Sequence, residues 1–111
     1  MRSFIKEITW IERNDKYMNF GWGNGYVVIP KGHPLYGIDY DDIDLDVHYG
    51  ITYSNYASKE NWEEVTQEER DNDCWIIGFD TIHLGDTLEK WPKEKVQEEA
   101  DYLLEQVKIY K

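Results

Sequence analysis

Three histidines punctuate the chain, each close to a glycine: Gly32–His33–Pro34, Val47–His48–Tyr49–Gly50 and His83–Leu84–Gly85–Asp86. The last belongs to Asp80–Thr81–Ile82–His83–Leu84–Gly85–Asp86, where a very apolar run gives way to groups that could do chemistry. An imidazole titrates near neutrality, so with carboxylates around it it can carry a proton or hold a metal. A set of His48, Asp80, His83 and Asp86 would suit zinc or manganese by ligand type. Its spacing matches no metal signature, however, and no metal or other cofactor is assigned. The plainer reading has Asp80 and Asp86 bonding to nearby backbone and His83 donating one hydrogen bond. Thr52 and Ser54 follow His48 and would share one face of a strand, but no strained nucleophile elbow or oxyanion donor accompanies them.

Two further patterns resemble ligand motifs and fail on detail. Asp42, Asp44 and Asp46 have the alternate spacing that opens a calcium loop, but Val47 stands where glycine is needed and Tyr53 where the bidentate glutamate belongs. Alternation of Ile43, Leu45 and Val47 with those aspartates reads equally as a strand edge with an acidic face. "GWGNG" (21–25) lacks the ending of a phosphate loop, and turns between strands account for its glycines.

The elements that would position these residues follow from hydrophobic periodicity. "SFIKEITWIE" alternates, with Phe4, Ile8 and Trp10 on one face, and predicts a strand. Asn14–Asp15 supplies turn chemistry. Asn24–Gly25 predicts a tight turn into a strand over Tyr26–Ile29, stopped by Pro30. Residues 31–46 read as a long loop with one helical turn near Tyr40–Ile43, and 47–54 as a strand. Residues 55–73 carry few apolar anchors and read as an exposed excursion with one short helix. "CWIIGFD" (74–80) is the most apolar run and predicts a central strand. After Pro92, placed at the first helical position, Val96, Ala100, Leu103, Leu104 and Val107 form one stripe on a helix of about 17 residues. The fold class is therefore α+β: an antiparallel sheet of four to five strands covered by a C-terminal amphipathic helix, in one domain over 1–111. Pairing of 47–54 with 74–80 would bring His48 to the Asp80–His83–Asp86 segment.

Composition narrows the partners. The chain has 111 residues and a net charge of −11, from 12 basic and 23 acidic side chains. Such a surface repels phosphates, so direct nucleic-acid binding is not expected, nor is attachment to an anionic membrane. A basic protein would be attracted. Cys74 is the one cysteine, which leaves no internal disulfide and reads as a small core residue. No apolar run is long enough to span a bilayer, and "MRSFIKEITW" lacks a signal-peptide core, so the expected compartment is the cytoplasm. Seventeen aromatic residues (five Trp, nine Tyr and three Phe) offer both core area and binding surface.

"NGYVVIPKGHPLYGIDYDDID", "DVHYGITYS" and "WIIGFDTIHLGD" together resemble a family of small uncharacterised bacteriophage and prophage proteins. Its members pair a Gly-Tyr-Val…Pro…His-Pro-x-Tyr-Gly segment with a Val-His-x-Gly-x-Thr segment and a Gly-Phe-Asp-x-x-His-x-Gly-Asp segment. Here these fall on Gly25–Gly37, Val47–Thr52 and Gly78–Asp86, about half the chain. Where the family tends to have glycine after the second histidine, Tyr49 stands. The resemblance implies an accessory factor in the host cytoplasm that disarms a bacterial defence system. It would do so by binding a basic host or defence protein, as anti-CRISPR proteins do, or by sequestering a small nucleotide-like signal. The expected contact set is His33, Tyr36, His48, Thr52, Asp80, His83 and Asp86, walled by Trp22 and Tyr53. A metal-dependent hydrolase using the His/Asp cluster and an acidic interaction domain without a pocket are the alternatives. Oligomeric state is left open.

Overall fold

The computed structural model describes residues 1–15 and 18–111. Four strands make one antiparallel sheet: β1 (Arg2–Glu7), β2 (Gly23–Ile29), β3 (Tyr53–Tyr56) and β4 (Trp75–Phe79), in the spatial order β1-β2-β4-β3. A five-residue helix, α1 (Gln67–Asp71), precedes β4, and α2 (Lys93–Ile109) closes the chain. This is the α+β arrangement the periodicity predicts, with four strands and α2 packed on the sheet.

β4 is central, between β2 and β3, and all five of its residues are buried. Its continuous hydrophobicity reflects cover on both faces. Val27, Ile29, Trp75, Ile77 and Phe79 meet Val96, Ala100, Leu103 and Val107 of α2, with Leu35, Ile43, Val47 and Ile51 from the loops. Tyr26, Val28, Cys74 and Ile76 face the other way, onto Phe4, Ala57 and Val65. The segment 57–73 is therefore not a mere exposed excursion. Ala57 and Val65 are buried and, with half-buried Trp62, cover the second face. Three apolar anchors were enough, because Lys59 and Glu63 are exposed while Glu60 accepts hydrogen bonds from Tyr53 and Asn55.

Two glycines in the sheet have a role other than turning. Gly25 pairs with Phe79 and Tyr26 with Gly78 across β2 and β4. A Cβ on Gly25 would lie 2.4 Å from the Phe79 ring, and one on Gly78 would lie 2.3 Å from the Tyr26 ring. Each aromatic thus folds over the glycine opposite it, on opposite faces of the sheet. The expected turn at Asn24–Gly25 is accordingly wrong, because both residues lie inside β2.

Other boundaries shift as well. β1 ends at Glu7, and Trp10, expected on the face of Phe4 and Ile8, is 75% exposed. At the expected turn after Asn14–Asp15, Asp15 Oδ1 accepts from the Met18 N–H, and residues 16 and 17 lie outside the described residues. The helical turn near Tyr40 is present as a 3-10 turn over Tyr40–Asp42, capped by Asp39. Ile43 and Val47 point inward and Asp42, Asp44 and Asp46 outward, without strand pairing. Pro92 caps α2 from just outside it, one position earlier than expected.

Residues 47–50 are also not strand. The Gly50 N–H donates to the Val47 carbonyl at 2.8 Å, and Tyr49 and Gly50 have φ of 61° and 78°. His48 therefore sits in a tight turn, and the chain joins the sheet only at the Thr52 N–H, which donates to the Gly78 carbonyl at 2.9 Å.

Candidate functional site: a histidine–aspartate cluster at the sheet end

Asp80 is the first residue beyond β4, and the chain there leaves the sheet through side-chain-to-backbone turns. Asp80 Oδ1 accepts from the Ile82 N–H at 3.2 Å. Asp86 Oδ2 accepts from the His83 N–H, and the Asp86 N–H donates back to the His83 carbonyl, both at 2.9 Å. The plainer reading of these aspartates is thus realised. Each also does something more.

The second oxygen of each carboxylate reaches the 47–52 segment, brought alongside by β3–β4 pairing. His48 Nε2 donates to Asp86 Oδ1 at 2.8 Å. Thr52 Oγ1 donates to Asp80 Oδ2 at 2.8 Å. His83 Nε2 lies 2.9 Å from Asp80 Oδ1, close beside it but out of line for a hydrogen bond. Asp86 is 3% exposed, so its charge is tolerated because its oxygens are occupied. From α2, Glu99 Oε2 accepts the His48 backbone N–H at 2.8 Å.

Rings complete the cluster. Trp91 packs against His48 with centroids 4.3 Å apart. Tyr49 lies flat on His83 at 4.0 Å and 8°, and meets His48 edge-on at 4.9 Å. The two imidazoles are 5.6 Å apart. The segment Asn19–Trp22 braces the site from below: the Phe20 N–H donates to the Asp86 carbonyl, Gly21 to Thr81 and Trp22 to Trp91. Arg13 holds that segment through the carbonyls of Asn19, Phe20 and Gly21.

Five of the seven expected contact residues therefore come together: His48, Thr52, Asp80, His83 and Asp86. His33 and Tyr36 do not. His33 Nδ1 accepts from the Leu35 N–H at 3.0 Å, which puts its proton on Nε2, and Nε2 donates to the Val107 carbonyl at 2.8 Å. It caps the end of α2. The Tyr36 hydroxyl donates to the Asp73 carbonyl at 2.7 Å and its ring abuts Tyr56. The expected walls are elsewhere too. Tyr53 packs with Tyr26 and Trp62 on the far face, and half-buried Trp22 lies under Lys93. Tyr49, Trp91 and Glu99 take that place. No local pattern marks Trp91 or Glu99, since both reach the cluster from the α2 side of the fold.

The chemistry available is constrained by these pairings. Thr52 gives its proton to a carboxylate rather than to an imidazole, which is not the nucleophile–base–carboxylate order. Among the described residues, no group of three or more His, Cys, Asp and Glu side chains is gathered to hold a metal ion. A groove of about 670 Å³, running past Arg2, Lys31, Glu69 and Cys74, lies away from the cluster; another, of about 590 Å³, borders its 83–86 turn and is bounded by Asn19, Leu84, Gly85, Thr87 and Lys90. The cluster is a polar knot with an aromatic cap.

No family model, curated protein or solved structure matches this chain.

Proposed function

We propose that the chain is a phage-type accessory protein that counters a bacterial defence system by occupying a basic surface of a host or defence protein. The observation that carries this reading is how the acidity is presented. Asp41, Asp42 and Asp44 are exposed along a loop whose alternate residues Ile43 and Val47 are buried. That loop is fastened to α2: the Tyr102 hydroxyl donates to Asp46 Oδ2 at 2.9 Å, and Gln106 bonds both the N–H and the carbonyl of Asp46. Carboxylates held on a fixed backbone keep their spacing, which favours fast, oriented encounter with a cationic patch. The net charge of −11 and the resemblance to phage proteins point the same way. Imidazoles already turned to carboxylates favour a protein partner over a nucleotide signal.

The test is plaque formation on host strains that each carry one defence system, with and without this chain. Restoration by about tenfold or more on at least one strain is expected, and its loss on triple substitution of Asp41, Asp42 and Asp44 by Lys. These side chains are exposed, so each substitution should change stability by no more than about 0.5 kcal/mol. No restoration on any strain would sink the reading. The native mass of purified protein separates the alternatives: an organic adduct of nucleotide size would replace it with sequestration, and a stoichiometric metal with the hydrolase.

A further inference from the structure

Tyr49 occupies a position that its backbone would rather give to glycine. It is the third residue of the turn closed by Gly50 N–H to Val47 carbonyl, with φ of 61°. A side chain in that region costs about 1–2 kcal/mol, and a type II turn normally places Gly or Asn there. The ring is also 64% exposed, so core burial does not repay the strain.

The ring is nevertheless firmly oriented. One face lies on His83 at 4.0 Å, and the His48 ring stands nearly perpendicular to it at 4.9 Å. His48 is itself held by Asp86, and His83 lies beside Asp80. A strained, exposed and pre-oriented tyrosine has the properties of an interface anchor. Leu84, next to His83, is 78% exposed and extends the apolar surface. The charge beneath and beside the ring is negative: Asp80, Asp86 and Glu99 in the cluster, and exposed Asp46 three residues earlier. The nearby lysines are engaged, Lys90 on the Gly85 carbonyl and Lys95 over Trp91.

We infer that Tyr49 is the anchor of a docking surface for an arginine-bearing segment of a basic protein, the guanidinium stacking on the ring face that His83 does not cover. This rests on the function proposed above and assigns it a contact residue. Arginine fits better than lysine because its planar, weakly hydrated cation stacks on an aromatic face. A nucleobase would stack as well, but its phosphate would meet the carboxylates.

The experiment is an NMR titration with nona-arginine and with nona-lysine at low salt, following the Tyr49 and His83 ring signals. Nona-arginine should shift both and bind more tightly than nona-lysine. Tyr49→Gly relieves the backbone strain and should keep the fold while weakening nona-arginine binding by about threefold to fivefold. Tyr49→Phe should retain binding, and Tyr49→Asn, which also tolerates positive φ, should behave as the glycine variant. Equal affinity of wild type and Tyr49→Gly for nona-arginine would overturn the inference, as would adenosine monophosphate shifting the Tyr49 signals in place of the peptide. If only the Asp41, Asp42 and Asp44 reversal weakens binding, the anchor fails and the acidic-surface reading stands. If neither peptide binds, both fail.

Discussion

His48 and Asp86, 38 residues apart in the chain, are joined by a 2.8 Å hydrogen bond that closes the turn before β3 onto the exit from β4. Asp86 also receives the His83 N–H, so a single buried carboxylate ties two loops together.

Asp86→Ala leaves the His48 Nε2–H and the His83 N–H without acceptors. The expected loss is about 2–4 kcal/mol, at the level of one or two buried unsatisfied groups. Urea unfolding reads it as a lower midpoint at unchanged slope. Wild-type stability in this variant would show that the pair contributes nothing.

Gly25→Ala tests the notch under Phe79. The new Cβ would lie 2.4 Å from the Phe79 ring and 3.0 Å from Ala100, where α2 leaves no space. Overpacking of this kind costs about 1–3 kcal/mol. A thermal midpoint within a degree of the wild type would show that the core yields freely.

Glu69 carries an acid-sensitive contribution. Burial pushes its carboxyl up, but hydrogen bonds from Arg2, at 2.8 and 2.9 Å, and from the Thr66 backbone N–H outweigh this and hold it below its ordinary value. A lowered folded-state pKa stabilises above the unfolded value, about 4.3, and the gain fades as pH falls below it through the lower folded value. Wild type should therefore exceed Glu69→Gln by roughly 1 kcal/mol near neutrality, given partial exposure of the pair. That difference should shrink steadily on acidification past pH ~4. A gap independent of pH would contradict the assignment.

Cys74 is 8% exposed, and burial pushes its thiol up, with Glu69 adding to the effect. Thiolate is the reactive form, so disulfide reagents should label native protein at neutral pH about tenfold or more slowly than unfolded protein. Equal rates would place the thiol in open solvent.

The α2 stripe was legible because helical periodicity is a local property: Val96, Ala100, Leu103 and Val107 are all fully buried where their spacing puts them. β4 was legible for a similar reason, since a strand covered on both faces must be apolar throughout. The sequence also marked the chemistry-bearing residues at 48, 52, 80, 83 and 86, and inferring their meeting needed only one correct strand pairing. It misplaced Gly25 because a glycine that makes room for an aromatic and one that turns the chain look alike until the opposite residue is known. It grouped His33 with the others because an imidazole capping a helix carbonyl carries no local signature. What tertiary structure alone decided was the second set of contacts: Trp91 and Glu99 beside His48, and Tyr49 laid on His83. Periodicity and composition report what each residue prefers, whereas these contacts depend on which loops the sheet register brings within a few ångströms of each other.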